Sequence, residues 1–298
     1  MSRGIGRPMH RPSHLGTHSQ TAFIVTKPLQ FMIADMIARQ ENEGEHIDFL
    51  VVDLFAGASD FVERFNRLDR ENQRAIYFAE QRAAYAHAAE AEYGIVHTNC
   101  DVGFRIYQML KRFKGKSVRV YEEGVGTYRN DLYSGFKRRL LHGRGIGTVF
   151  GGSDIAQFIY VFDPASYYQR VQGIRAIPVK IDGSVAGYVS ENRTILSHLF
   201  GAGDQEPSDK SATVYLSDWD VDQRIVARLR KEDPFFLKPH PHRKESLSGE
   251  DVLPGGVPAE VLITILAQAY RSLTVYHHGS SAAHYLAGMP GVKFRRVN

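Results

Sequence analysis

Cysteine is nearly absent from this chain, and its scarcity excludes a disulfide framework. The single Cys100 suits a reducing compartment, and following an apolar run it reads as a small buried residue. Long apolar runs are missing too. No stretch approaches the ~18 consecutive apolar residues of a membrane helix, and the N-terminus has no hydrophobic secretory segment. A cytoplasmic protein is the expectation. There is no large charge of either sign: 37 Lys and Arg against 33 Asp and Glu leave a formal +4 over 298 residues. An excess that small is compatible with an anionic ligand, nucleic acid or a membrane surface. Aromatic residues are not interleaved with basic ones as a single-strand binder requires, so no nucleic-acid partner is expected.

What is present is an ordinary globular composition, 43% hydrophobic and 23% charged, with material for two cores of Rossmann size. Residues 1–20 are basic and rich in Gly, Pro, His and Ser, and read as a flexible tail. His10, His14 and His18 recur every four residues, but Pro8, Pro12 and Gly16 argue against the helix that would align them. From Thr21 short apolar runs alternate with amphipathic stretches, the pattern of an α/β fold with a largely parallel sheet. Strands are expected at 22–26, 48–53, 75–79, 95–98, 117–121, 158–162 and 175–181, then at 213–216, 235–238 and 274–277. Helices fall between them, with Pro28 in a first turn, Ser59 and Asp101 as caps, and Gly143–Gly152 as a mobile glycine-rich loop. The interdomain crossing is placed between Asp163 and Ser190, with domains at 21–175 and 176–298.

Three motifs carry the chemistry. Val118–Tyr121 is an apolar strand ending in Glu122-Glu123-Gly124, and strand alternation points the two carboxylates opposite ways, so only one faces a cleft. Lys238-Pro239-His240-Pro241-His242 follows a second strand, with prolines restricting the backbone on both sides of His240. His278-Gly279-Ser280-Ser281 reads as strand end, turn and helix start, where hydroxyls and free N–H groups can meet a phosphate. Asp218-Trp219-Asp220 has an Asp-x-Asp form but sits where aspartates cap helices, and Trp219 can stack on a sugar or base. Lys137-Arg138-Arg139 with Arg144 is the densest positive cluster; it reads either as a solvated face or as contact with phospholipid headgroups or an anionic glycan. His240, His242, His277 and His278 have the makings of a zinc site, and a metal-dependent hydrolase is the rival reading; an anionic-surface or nucleic-acid binding module, resting on Lys137–Arg144 and the basic tail, is another.

The ordered set Glu-Glu-Gly, His-Pro and Ser-Ser resembles the bacterial sialyltransferases and polysialyltransferases of lipooligosaccharide and capsule. The opening Phe23-Ile24-Val25-Thr26-Lys27-Pro28-Leu29-Gln30 adds to the likeness, which runs from about Thr21 to the C-terminus. It implies a GT-B arrangement, two Rossmann-like domains around one cleft. The first domain would supply the acceptor site and base, and the second the site for CMP-sialic acid or a related CMP-nonulosonate. By this resemblance Glu122 is the first choice of base and Glu123 the next, His240 assists departure of CMP, and Ser280 and Ser281 hold its phosphate. Gly124, Lys238, Pro241 and Trp219 complete the substrate site. No cofactor or metal is implied. The expected partners are the CMP-sugar, a glycan acceptor, the inner membrane through Lys137–Arg144, and a second copy as a homodimer.

Overall fold

The computed structural model describes residues 20–41, 45–203, 205–232, 234–241, 249 and 251–297. Residues 1–19 of the N-terminal tail and His242 therefore lie outside the described residues. The strands are β1 (Gln20–Val25), β2 (Ile47–Val52), β3 (Gln73–Phe78), β4 (Tyr93–Thr98), β5 (Ser117–Tyr121), β6 (Phe158–Val161), β7 (Ile177–Lys180), β8 (Ser208–Leu216), β9 (Phe235–Lys238), β10 (Tyr270–His277) and β11 (Val292–Arg296). The helices are α1 (Pro28–Glu41), α2 (Ala58–Arg67), α3 (Gln81–Glu90), α4 (Phe104–Leu110), α5 (Gly135–Gly143), α6 (Pro164–Arg170), α7 (Val185–Glu191), α8 (Arg193–Phe200), α9 (Gln223–Leu229), α10 (Ala259–Ala269) and α11 (Ser281–Tyr285).

Two parallel sheets result. The first has seven strands in the order β3-β2-β1-β4-β5-β6-β7, and the second four in the order β11-β10-β8-β9. Each reverses its winding direction once, between β1 and β4 and between β8 and β10, and such reversals open a crevice at the C-terminal strand ends. The first sheet includes Ile177–Lys180, which pairs with β6 beyond the expected boundary at residue 175.

Alternation along the strands sorts the cores. Ala22, Ile24, Leu50 and Val52 face α3, whose Ala84 and Ala88 let it approach closely. Phe23, Val25, Phe49 and Val51 face the other way, into a core continuous with Leu196, Leu199, Val214, Leu262 and Val275 of the second half. Helix α10 packs on α7 and α8, and α1 on α7, so one apolar body joins the two sheets. Phe31 sits at its centre, edge-on to Phe49, Phe61 and Phe65 with ring centres 5.2, 4.7 and 5.6 Å away. Each such pair adds about 0.5–1.5 kcal/mol beyond the area buried.

Several local expectations are corrected. Helix α2 starts at Ala58 after Gly57 in the left-handed region, so Ser59 lies inside it and does not cap it. Asp101 caps nothing: it is buried and accepts the Gly151 and Ser153 N–H groups, each at 2.9 Å. Those bonds fix the glycine-rich stretch, whose Ile146, Val149 and Phe150 are buried, so it is a packed segment and no mobile loop. Gly147 is required there, because a Cβ would stand 2.4 Å from the Asp101 carbonyl oxygen. Helix α9 is capped by Asp222, which accepts from the Arg224 and Ile225 N–H groups, and not by Asp218 or Asp220.

Candidate active site

Strand β5 delivers two carboxylates into different surroundings. Glu122 is fully buried. Its Oε2 accepts from the Tyr128 hydroxyl at 2.7 Å and the Phe162 N–H at 3.0 Å, and its Oε1 accepts from the Tyr285 hydroxyl. Burial raises its pKa, and the three donors oppose that. Tyr285 belongs to α11, in the second half of the chain, so Glu122 ties the two halves together. Glu123 points the other way. Its backbone N–H donates to Thr127 Oγ1 at 3.0 Å, and its carboxylate pairs with Lys27 Nζ at 3.3 Å. Gly124 follows at φ 132°, and a Cβ there would lie 3.5 Å from the Cβ of Ser281. The positive φ is what calls for glycine at this turn, since a Cβ at that distance would only touch the second half.

The facing wall comes from the ends of β8, β9 and β10. His240 stacks on Trp219, with ring centres 4.6 Å apart at 23°, and Trp219 is 63% exposed. The Pro241 carbonyl accepts from the Ala56 N–H at 3.2 Å, a further tie to the first half. Lys238 is buried, donating from Nζ to the carbonyls of Pro239 at 2.8 Å and Gly255 at 2.9 Å. Burial draws its pKa down to about 7, with Glu260 pulling the other way. Glu260, in the first turn of α10, is itself buried; burial raises its pKa, and a hydrogen bond from Ser281 is among the influences that lower it. Ser280 caps α11, accepting the Ala282 N–H at 3.3 Å.

Glu123, Gly124, Trp219, Lys238, His240, Pro241, Ser280 and Ser281 all line one cavity of about 400 Å3, and Lys27 and Glu260 line it as well. Glu122 does not. Alternation parts the two: Glu122, the first choice from the sequence, points inward, where its carboxylate accepts three donors, and Glu123 faces the cavity. Of the four histidines of the zinc reading, His242 lies outside the described residues and two of the others have partners of their own. His277 Nδ1 accepts the Gly279 N–H at 3.1 Å and His278 Nε2 meets the Tyr215 hydroxyl at 2.8 Å. Among the described residues no three His, Cys, Asp or Glu side chains converge on a point. Sequence reasoning missed Lys27 and Glu260 in the cavity lining and Tyr285 behind it. Lys27 stood inside the opening motif, at a strand end; nothing local marks Glu260 or Tyr285, whose partners lie 21 or more residues away.

No family model matches the chain, and no curated protein matches it. Solved structures do. One is a Listeria monocytogenes protein provisionally assigned as a UDP-N-acetylglucosamine 2-epimerase, with TM-score 0.52, 10% identity, and coverage of 94% of this chain and 79% of that one. Another is Arabidopsis thaliana UGT89C1 complexed with UDP, with TM-score 0.50, 10% identity, and coverage of 93% and 79%. Identity this low speaks to fold alone. The architecture is the GT-B arrangement, two Rossmann-like domains facing one cleft.

Proposed function

We propose that this chain is an inverting glycosyltransferase that moves sialic acid or a related nonulosonic acid from a CMP-linked donor to a hydroxyl of a bacterial surface glycan. The observation that carries the reading is the single cavity that collects Glu123 from the first sheet and His240, Ser280 and Ser281 from the second. An in-line displacement needs a base on one side of the anomeric carbon and anion partners on the other. Glu123 takes the proton of the acceptor hydroxyl, whose oxygen bonds to the anomeric carbon. The bond from that carbon to the phosphate oxygen breaks, its electron pair leaves with CMP, and the configuration inverts. His240 and the two serine hydroxyls stabilise the charge that develops on the departing phosphate. Lys27 orients the Glu123 carboxylate, and Trp219 offers a ring face beside His240.

The choice of CMP rests on the ordered motifs. The uridine nucleotides named with the two similar structures agree with a nucleotide-linked donor without specifying the base. The test is incubation with CMP-Neu5Ac, following CMP release with and without lactose. Release that depends on the acceptor supports the reading. Consumption of UDP-N-acetylglucosamine with no release from the CMP-sugar would replace the donor.

A further inference from the structure

Helix α5 leaves the turn after β5 and buries none of its residues. Phe136 and Leu140 stand one turn apart on its outer face, 79% and 39% exposed. Phe104, 60% exposed, opens α4, and Tyr133 spans the two helices: its hydroxyl stands 2.8 Å from where a Cβ on Gly103 would lie, and Lys137 Nζ is 5.1 Å from its ring centre. Lys137 and Arg139 flank the Phe136–Leu140 stripe, Arg144 lies just past the helix end, and Arg105 adjoins Phe104; all four are exposed. The opposite face holds the helix down, with Arg138 donating to the Asn130 side chain at 2.9 Å and the Gln172 carbonyl at 2.8 Å. Helix α5 has no acidic residue, and Asp131 before it pairs with Arg129 at 2.9 Å.

We propose that α5 and Phe104 form a docking surface for an anionic phospholipid bilayer. Cations ringing an exposed apolar stripe match headgroup phosphates outside and acyl chains just beneath. A second copy fits badly, because a two-fold contact would set Lys137, Arg139 and Arg144 against their own counterparts. Among the described residues no helix is long and apolar enough to cross a membrane, so the contact lies in the surface plane. Phe104 and α5 follow the C-terminal ends of β4 and β5, the edge on which the cleft opens. The bilayer would therefore lie at the cleft mouth. The inference is independent of the reaction proposed above.

The experiment is co-sedimentation of the full chain with vesicles of phosphatidylcholine alone and of phosphatidylcholine mixed with phosphatidylglycerol. Salt-sensitive binding to the mixed vesicles only is expected. A Lys or Arg near an anionic surface strengthens adhesion by about fivefold, so Lys137→Ala/Arg139→Ala should weaken it on the order of twentyfold. Phe136→Ser/Leu140→Ser should also release the protein, and both variants should melt within a few degrees of the parent because no residue of α5 is fully buried. Absence of binding, equal binding to neutral vesicles, or unchanged binding in both variants would overturn the proposal. So would a dimer in solution that Phe136→Ser/Leu140→Ser dissolves.

Discussion

The wall of the cleft contributed by the first sheet holds its carboxylates in fixed positions, whereas the wall from the second sheet presents side chains toward the space between them. Behind the first wall Glu122 is gripped by three donors, and on the wall itself Glu123 is paired with Lys27. On the second, an exposed Trp219 backs His240, and Ser280 and Ser281 stand at the start of a short helix, over the buried Lys238 and Glu260. In the transfer proposed above, a group that receives a proton benefits from a rigid setting, while groups that meet an anion must line the space it enters. Tyr285 links the walls, since its hydroxyl from the second half completes the shell of Glu122.

The strongest way to break this contrast is to exchange the two glutamates' roles by mutation. Glu123→Gln keeps the shape but cannot take a proton, so transfer should fall by on the order of a hundredfold or more while CMP binding by calorimetry is retained. Full turnover in that variant would remove Glu123 from the reaction. Glu122→Gln should act on stability instead. It turns a carboxylate oxygen that accepts hydrogen bonds into an amide facing donors, costing about 1–3 kcal/mol. Thermal unfolding should shift down by several degrees; an unchanged midpoint would mean that the strut between the halves carries no weight.

On the second wall, His240→Ala and Ser280→Ala/Ser281→Ala should each weaken CMP binding. Their combination should cost less than the sum, as contacts to one shared group do. Full additivity in calorimetry would separate the two motifs. The smallest effect concerns the supporting sheet. His97 is fully buried in the first sheet, stacked on Phe23 with ring centres 4.2 Å apart. Burial, and then the Arg119 charge, hold its pKa well below the usual imidazole range. Above about pH 6.5 the ring is neutral folded or unfolded. As the pH falls below that value the unfolded chain takes up a proton that the folded chain refuses, so stability declines by at most about 1.4 kcal/mol per pH unit. Urea midpoints from pH 7.5 down to 5.5 should show this slope, and His97→Phe should flatten it.

The helix and strand order was largely legible because burial leaves its own periods: the short, turn-bounded run Phe49-Leu50-Val51-Val52 reads as a buried strand, and Pro28 opens a helix where its missing N–H costs nothing. The ordered motifs at Glu122–Gly124, His240 and Ser280–Ser281 were equally plain, since strand ends in parallel sheets fall on one edge by topology. Alternation also required that the two glutamates part company. Which of them meets the cleft depended on partners distant in the chain, Tyr285 for Glu122 and Lys27 for Glu123. Asp101 shows the same limit. Its local surroundings favour a cap, but its carboxylate is used by amides 50 and 52 residues on, to close a glycine-rich segment. Local preference is set by neighbours along the chain, whereas a buried charge is set by whichever donors the packed fold brings to it, and only the tertiary structure assigns those.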